Sequence, residues 1–292
     1  MSELNVAPLS LAWEALTLPY AFMRYSLAGT ALVGAACGLL GCFIILRRLS
    51  LFGDALGHAV FPGVMLASFL GAGHLGVFLG ALAAGLAAAA LVAWIPSVTR
   101  HRADTAMGVV FTGFFGLGVA LLTLLPVGTH RVATLMFGRA LGVGPADVLA
   151  AAGVLLTVLL FITLAFRPLA LATFDPVAAG LQGVRVGLLT VLLMVLLTAT
   201  VVVSLPIVGA VLVVALLVIP AATASLLVDR LAPMLALAAL LGLLAAEGGL
   251  VMSHVWGWAS GASMVLASAA YFLLALGWSQ GRRRWATGGL RA

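Results

Sequence analysis

An all-α, polytopic membrane protein with about 8–9 transmembrane helices is the architecture this sequence predicts, on three observations. Of 292 residues, 64% are hydrophobic and only 8% charged, whereas a soluble domain carries about 25% charged residues. Mean hydropathy is +1.29. Apolar runs of crossing length recur along the chain, each taking about 20 residues, which leaves no room for an extramembranous catalytic domain.

Taken in order, the chain opens with a segment over 1–22 whose Leu4, Leu9, Leu11, Leu16 and Leu18 stand among few charges, the pattern of an interfacial helix. Glu3 and Glu14 precede the first arginine, Arg24, so this segment lacks the basic start of a cleaved signal peptide. Nine candidate spans follow at 26–46, 52–70, 75–95, 104–126, 147–166, 187–204, 207–228, 232–253 and 260–280. The 52–70 run holds Asp54, His58, Pro62 and three glycines, which predicts a broken crossing covered by protein or lining a cavity. Only Leu205 and Pro206 separate the 187–204 and 207–228 runs, which requires a tight hairpin or a re-entrant turn there. A count of eight full spans fits nearly as well. The transmembrane domain is thus 23–280, and 281–292 is a basic tail.

The longest insertion between spans, 168–186, is too polar and too marked by glycine and proline to cross. Asp175-Pro176 is a helix start signal, so Val177 to Leu181 and Val184 predict a short helix after it. Such a helix is either a plain connection or a docking surface for a soluble partner. Ala, Gly, Leu and Val richness elsewhere predicts spans with small-residue packing faces.

Arginine placement gives the orientation, because cytoplasmic loops carry the excess of basic residues. Arg47, Arg48, Arg100, Arg102, Arg167, Arg185, Arg230, Arg282, Arg283, Arg284 and Arg291 fall on one side of the alternation. Only Arg24, Arg131 and Arg139 fall on the other. The first side is therefore cytoplasmic, the C-terminus lies inside and, with nine crossings, 1–22 lies outside.

Composition excludes several functions. All 14 basic residues are arginine, and a phosphate-cradling Walker loop needs its lysine, so ATP chemistry would have to come from another chain. Arginines scattered between apolar runs form no nucleic-acid patch. No HExxH run occurs for an intramembrane metalloprotease, and no GxSxG run for a serine hydrolase. Cys37 and Cys42 share one apolar run and read as core residues.

Two places carry ionisable groups inside apolar runs, where they are costly and mark pathways. Asp54 and His58 are one helical turn apart, roughly 40° around the helix axis, so a carboxylate oxygen and an imidazole nitrogen can converge. That is half a site for manganese, zinc or ferrous iron, or else a hydrogen bond that fixes helix packing. Pro62 has no N–H to return to the His58 carbonyl, and Gly53 and Gly57 strip one face so that a backbone or an ion can approach. The second place is Glu247, with His254 about 20° away around the helix. Both could face one cavity, or Glu247 could bond a neighbouring helix and His254 could sit at the interface. His74, His101 and His130 fall in predicted loops and are poor ligand candidates.

The stretch Leu46-Arg47-Arg48-Leu49-Ser50-Leu51-Phe52-Gly53-Asp54-Ala55-Leu56-Gly57-His58-Ala59-Val60-Phe61-Pro62-Gly63-Val64 resembles the membrane permease subunits of manganese, zinc and iron ABC importers. Later segments resemble the same family in order: Asp104 to Phe115, Phe137 to Val143, Phe174-Asp175-Pro176 with Ala178 to Gly183, and Ser204 to Ala224. The resemblance implies an importer permease of the metal-chelate and vitamin B12-like type. It implies a homodimer around one pathway for a divalent cation, with two copies of a separate ATP-binding subunit in the cytoplasm and an extracytoplasmic metal-binding protein as partners. The chain itself would be no enzyme and would sit in the bacterial cytoplasmic (inner) membrane. By that similarity Asp54 and His58 match pathway residues, with Glu247 and His254 added on the burial and spacing argument alone. Phe174, Asp175, Pro176, Ala178, Gly180, Leu181, Gly183 and Val184 match the segment that seats on the ATPase. An ion-gradient-driven secondary metal transporter is the alternative; it would use Asp54, His58 or Glu247 as proton carriers and often shows an inverted repeat.

Overall fold

The computed structural model describes residues 21–49, 52–100, 103–124 and 138–288. Among these the chain is helical almost throughout. We number its α-helices α1 (Ala21–Leu46), α2 (Phe52–Ala59), α3 (Phe61–Phe69), α4 (His74–Val98), α5 (Ala103–Leu124), α6 (Pro145–Leu164), α7 (Phe166–Phe174), α8 (Pro176–Leu181), α9 (Val186–Val208), α10 (Ala210–Leu227), α11 (Leu231–Trp256) and α12 (Ser260–Gly288). Seven of the described helices are long and apolar enough to cross a membrane, and Leu212–Leu227 is a shorter apolar helix. With the divided 52–70 segment, these account for each of the nine runs in the sequence.

Helix α1 is the centre of the bundle, with 78% of its apolar window buried against 17% for α5 and for α6. It packs on α11, α10, α6 and α9. Small residues permit that approach: a side chain on Gly34 or Gly38 would run into the α11 backbone at Gly242 or Ala238, and one on Gly41 into α10 at Leu217. In a bilayer, where lipid is as apolar as leucine, such close van der Waals contact drives helix association. Several hydroxyls within the bundle are satisfied locally, Thr30, Thr198, Thr200 and Ser204 each bonding a carbonyl one turn back. Cys37 and Cys42 are buried free thiols.

Pro62 divides the 52–70 run as its chemistry requires. The helix stops at Ala59, Val60 makes the junction, and a new helix starts at Phe61 with the proline in its first turn. Helix α2 then packs on α5, α10 and α9, while α3 packs on α4 and α5. Gly63 and Gly80 let α3 and α4 touch through their backbones.

The turn between the next pair of runs lies elsewhere than expected. Helix α9 passes through Leu205 and Pro206 to Val208, and the break falls at Gly209, φ 87°. A proline near a helix end removes one N–H bond without ending the helix, whereas positive φ is open mainly to glycine. Gly138, also at positive φ, lies against this break, and the Arg139 N–H bonds the Pro206 carbonyl at 3.0 Å. Helix α12 likewise runs on to Gly288, through most of the stretch expected as a tail. Residues 1–20 of the expected interfacial helix, Ser50, Leu51, His101, Arg102, His130, Arg131, Phe137 and Arg291 lie outside the described residues.

Candidate metal pathway and coupling segment

Helix α1 ends in a capping arrangement that aims α2. Arg48 adopts a left-handed conformation, φ 57°. Its N–H reaches the Ile45 carbonyl at 3.0 Å and the Leu49 N–H reaches Ile44 at 2.8 Å, the paired bonds of a Schellman motif. The chain thereby reverses out of α1 into α2. There Phe52, Gly53, Ala55, Leu56, Gly57 and Ala59 are buried, and Asp54 and His58 are the residues left partly exposed.

Asp54 Oδ1 and His58 Nε2 lie 3.7 Å apart, with 47% and 19% of their side chains exposed. That is too long for a hydrogen bond. Two donors each about 2.1 Å from a shared ion lie about 3.4 Å apart at a tetrahedral angle, a spacing close to the one seen here. Among the described residues no group of three or more His, Cys, Asp or Glu could hold a metal. Here the described residues bring together two such side chains, Asp54 and His58.

The His58 ring is held on edge by two phenylalanines of α5, Phe111 at 5.0 Å and Phe115 at 5.2 Å between centroids. These stack on each other one turn apart. Edge-to-face contact restricts the ring's rotation and keeps bulk water from one side. Gly57, His58, Phe61, Phe115, Leu205 and Ala210 line a small pocket beside it. Sequence reasoning missed the two phenylalanines, although their i, i+4 spacing is the signal that could have found them. Of the α2 glycines, Gly57 lines this pocket beside Ala210, whereas Gly53 is packed closely under the Leu217 side chain. Their bare face receives α10.

Glu247 and His254 are placed apart. Glu247 is half-buried on α11 and faces α1, where Thr30 Oγ1 lies 3.5 Å from its carboxylate. That hydroxyl already donates to the Ser26 carbonyl at 2.8 Å. His254 is exposed in the last turn, beside Trp256 and Trp258, whose rings lie 5.2 Å apart. Paired tryptophans at a helix end suit the membrane interface. His74 opens α4.

The insertion forms two short helices, α7 and α8. Asp175 caps α8, its Oδ1 accepting from the N–H of Val177 at 3.1 Å and of Ala178 at 2.8 Å. The helix closes in the same way as α1: Gly183, φ 78°, bonds Gly180, and the Val184 N–H bonds Ala179. Only Ala179 of α8 is buried. Phe174, Val177 and Leu181 are 64%, 73% and 86% exposed.

A sequence model of the ABC 3 transport family matches residues 19–279. The chain is 43% identical, over 258 residues, to the manganese transport system membrane protein MntC of Halalkalibacterium halodurans, covering 88% of this chain and 87% of that one. It is also 43% identical to the manganese import system permease protein ScaB of Streptococcus parasanguinis, covering 87% and 89%. The solved structure of PsaBC from Streptococcus pneumoniae in complex with Fab superposes with a TM-score of 0.83 at 36% identity, covering 91% of this chain and 95% of that one. A metal-chelate type ABC transporter in an inward-facing conformation, 18% identical with a TM-score of 0.71, shares the fold.

Proposed function

The chain belongs to the ABC 3 transport family, and from that membership we propose that it is the multi-pass permease of an ATP-driven importer whose substrate is manganese. Zinc and ferrous iron belong to the same coordination class; the names of the relatives are what favour manganese. Membership leaves the gradient-driven alternative without support.

The observation that carries the site assignment is the Asp54–His58 pair, 3.7 Å apart and partly exposed on a helix otherwise buried. In this reading the pair lines the pathway. Two ligands are too few for a divalent ion, and a second copy of the chain placed around a common axis doubles them to four. A mixed set of carboxylates and imidazoles selects a divalent cation and still releases it, the compromise that transit requires. Glu247 and His254 take lesser places: Glu247 holds α11 to α1, and His254 stands at the outer entrance.

A chain without lysine relies on a partner for ATP hydrolysis, and two ATP-binding subunits, one per permease copy, serve that role. The apolar outer face of Phe174, Val177 and Leu181, together with Asp175, Pro176, Ala178, Gly180, Gly183 and Val184, is where each ATPase seats. The opposite face receives metal from an extracytoplasmic binding protein. The arginine bias supports the bacterial inner membrane with the C-terminus inside, residues 1–22 outside, 23–280 as the transmembrane domain and 281–292 as the cytoplasmic end.

The test is manganese uptake by proteoliposomes holding this chain, its ATPase and its binding protein, with and without ATP. Uptake that requires ATP is expected. Uptake indifferent to ATP that follows a proton gradient overturns the importer reading.

A further inference from the structure

Arg47 is the first residue past α1, and its side chain turns back among the helices. Its Nε donates to Thr173 Oγ1 at 3.3 Å and its Nη1 to Thr190 Oγ1 at 3.0 Å. The third nitrogen, Nη2, is buried without a hydrogen-bond partner among the described residues. Thr173 stands in the last turn of α7, just before the cap residue Asp175, and Thr190 stands near the start of α9. One guanidinium therefore grips the chain where it enters α8 and again where it leaves. On its own strand, Arg47 leads through the left-handed turn at Arg48 into α2, which carries Asp54 and His58.

Simple packing does not account for this arrangement. Burial lowers the pKa of the guanidinium from its ordinary value, and among the described residues no carboxylate pairs with it. A half-buried cation held by neutral hydroxyls, with its Nη2 buried and unpaired among the described residues, gains little stability from the arrangement. The same arrangement is a good way to let helices exchange partners. Thr173 donates its own proton to the Leu169 carbonyl at 2.7 Å, which fixes its oxygen as an acceptor, and the idle Nη2 is available to a second arrangement of the same three helices. A rigid fork of this kind keeps two helices in register in a way that a point charge cannot.

From this juxtaposition we infer that Arg47 is a positioning residue that transmits displacement of α8 to the segment bearing Asp54 and His58. The inference rests on the importer reading. Coupling between distant sites requires an element both sites can bias, and the Arg47 fork touches the flanks of one and opens into the other.

The measurement is manganese transported per ATP hydrolysed by the reconstituted complex, for wild type, Arg47→Lys, Thr173→Val, Thr190→Val and Thr173→Ser. ATP hydrolysis should stay within about two-fold of wild type, while manganese per ATP falls about five-fold in the lysine and valine variants, the lower end of ordinary allosteric coupling. Thr173→Ser, which keeps the acceptor, should restore it. A ratio equal to wild type in every variant, or one lost equally in Thr173→Val and Thr173→Ser, overturns the inference. The threonine variants keep the test decisive if Arg47→Lys does not assemble. A wild-type complex whose uptake ignores ATP overturns the importer reading, a separate and distinguishable outcome.

Discussion

Two places in this molecule interrupt the long helices with short ones, and they are built with opposite polarity. The α2–α3 segment lies within the bundle, buries its apolar residues and leaves Asp54 and His58 partly exposed. The α7–α8 segment lies at the surface, buries little and turns Phe174, Val177 and Leu181 outward. Each is entered or closed by the same pair of backbone bonds around a left-handed residue, Arg48 in one case and Gly183 in the other. Short helices free residues that a continuous span would commit to packing. Inside the bundle the freed residues are the Asp54–His58 pair proposed as ligands, and outside it they are the apolar face proposed for docking.

The sharpest way to break that contrast is to remove the ligands. Asp54→Ala and His58→Ala should each lower ATP-dependent manganese uptake by about 100-fold, at or beyond the upper end for losing even an outer-shell partner of a ligand. The complex should still assemble, because the buried core of α2 rests on Phe52, Leu56 and its small residues, and His58→Ala gives up only the edge contacts to Phe111 and Phe115. Uptake within a few-fold of wild type in both variants, measured in proteoliposomes, would reduce the pair to helix packing.

On the outer segment the corresponding change is Leu181→Asp. An 86% exposed leucine contributes little to the permease's own fold, and surface changes of this kind cost within about 0.5 kcal/mol. Charge at the centre of an apolar interface should cost about 2 kcal/mol of ATPase association, roughly 30-fold in Kd. Affinity of the detergent-solubilised permease for the ATPase reads this directly, and unchanged affinity would make α8 a plain connection. Asp175→Ala acts at the same place more gently. It strips the acceptor of two N–H groups, which costs about 1 kcal/mol of local helix stability, and hydrogen exchange over 176–181 should quicken by about five-fold while exchange over α2 does not change.

Much of both segments was legible in the sequence, for local reasons. Pro62 with the polar residues and glycines around it pointed to a broken 52–70 run, and Asp175-Pro176 pointed to a helix start, because each signal is local backbone chemistry. The one-turn spacing of Asp54 and His58 likewise set their approach. For Glu247 and His254 the spacing left two readings open, and the structure turns Glu247 toward Thr30 of α1 and leaves His254 exposed in the last turn of α11; seven residues return almost to the same side of a helix but also climb about 10 Å along it. Neighbours across the bundle were not legible. Phe111 and Phe115 read as apolar positions among many until α5 packed beside His58, and whether a neighbouring helix or an ion would approach the α2 glycines was settled only by the packing of α10 against Gly53. Similarly, Pro206 was the obvious break, and Gly209 took the turn because only the packed structure demanded positive φ there.

The smallest expected effect compares the two left-handed residues themselves. A non-glycine residue in the left-handed region costs about 1–2 kcal/mol, and Arg48 bears that cost while Gly183 does not. Arg48→Gly removes the strain but adds freedom to the unfolded chain, so the net gain should be about 0.5 kcal/mol. Gly183→Ala should lose about 1 kcal/mol by the reverse argument, with open space around it and no clash to confuse the result. Thermal unfolding of the solubilised permease should therefore shift upward slightly for the first variant and downward for the second. If Arg48→Gly leaves stability higher and yet lowers manganese transported per ATP, the strained turn is maintaining the angle between α1 and α2 on which the Asp54–His58 pair depends. If stability rises and transport is unchanged, the angle is fixed by the packing of α2 on α5 and α10 instead.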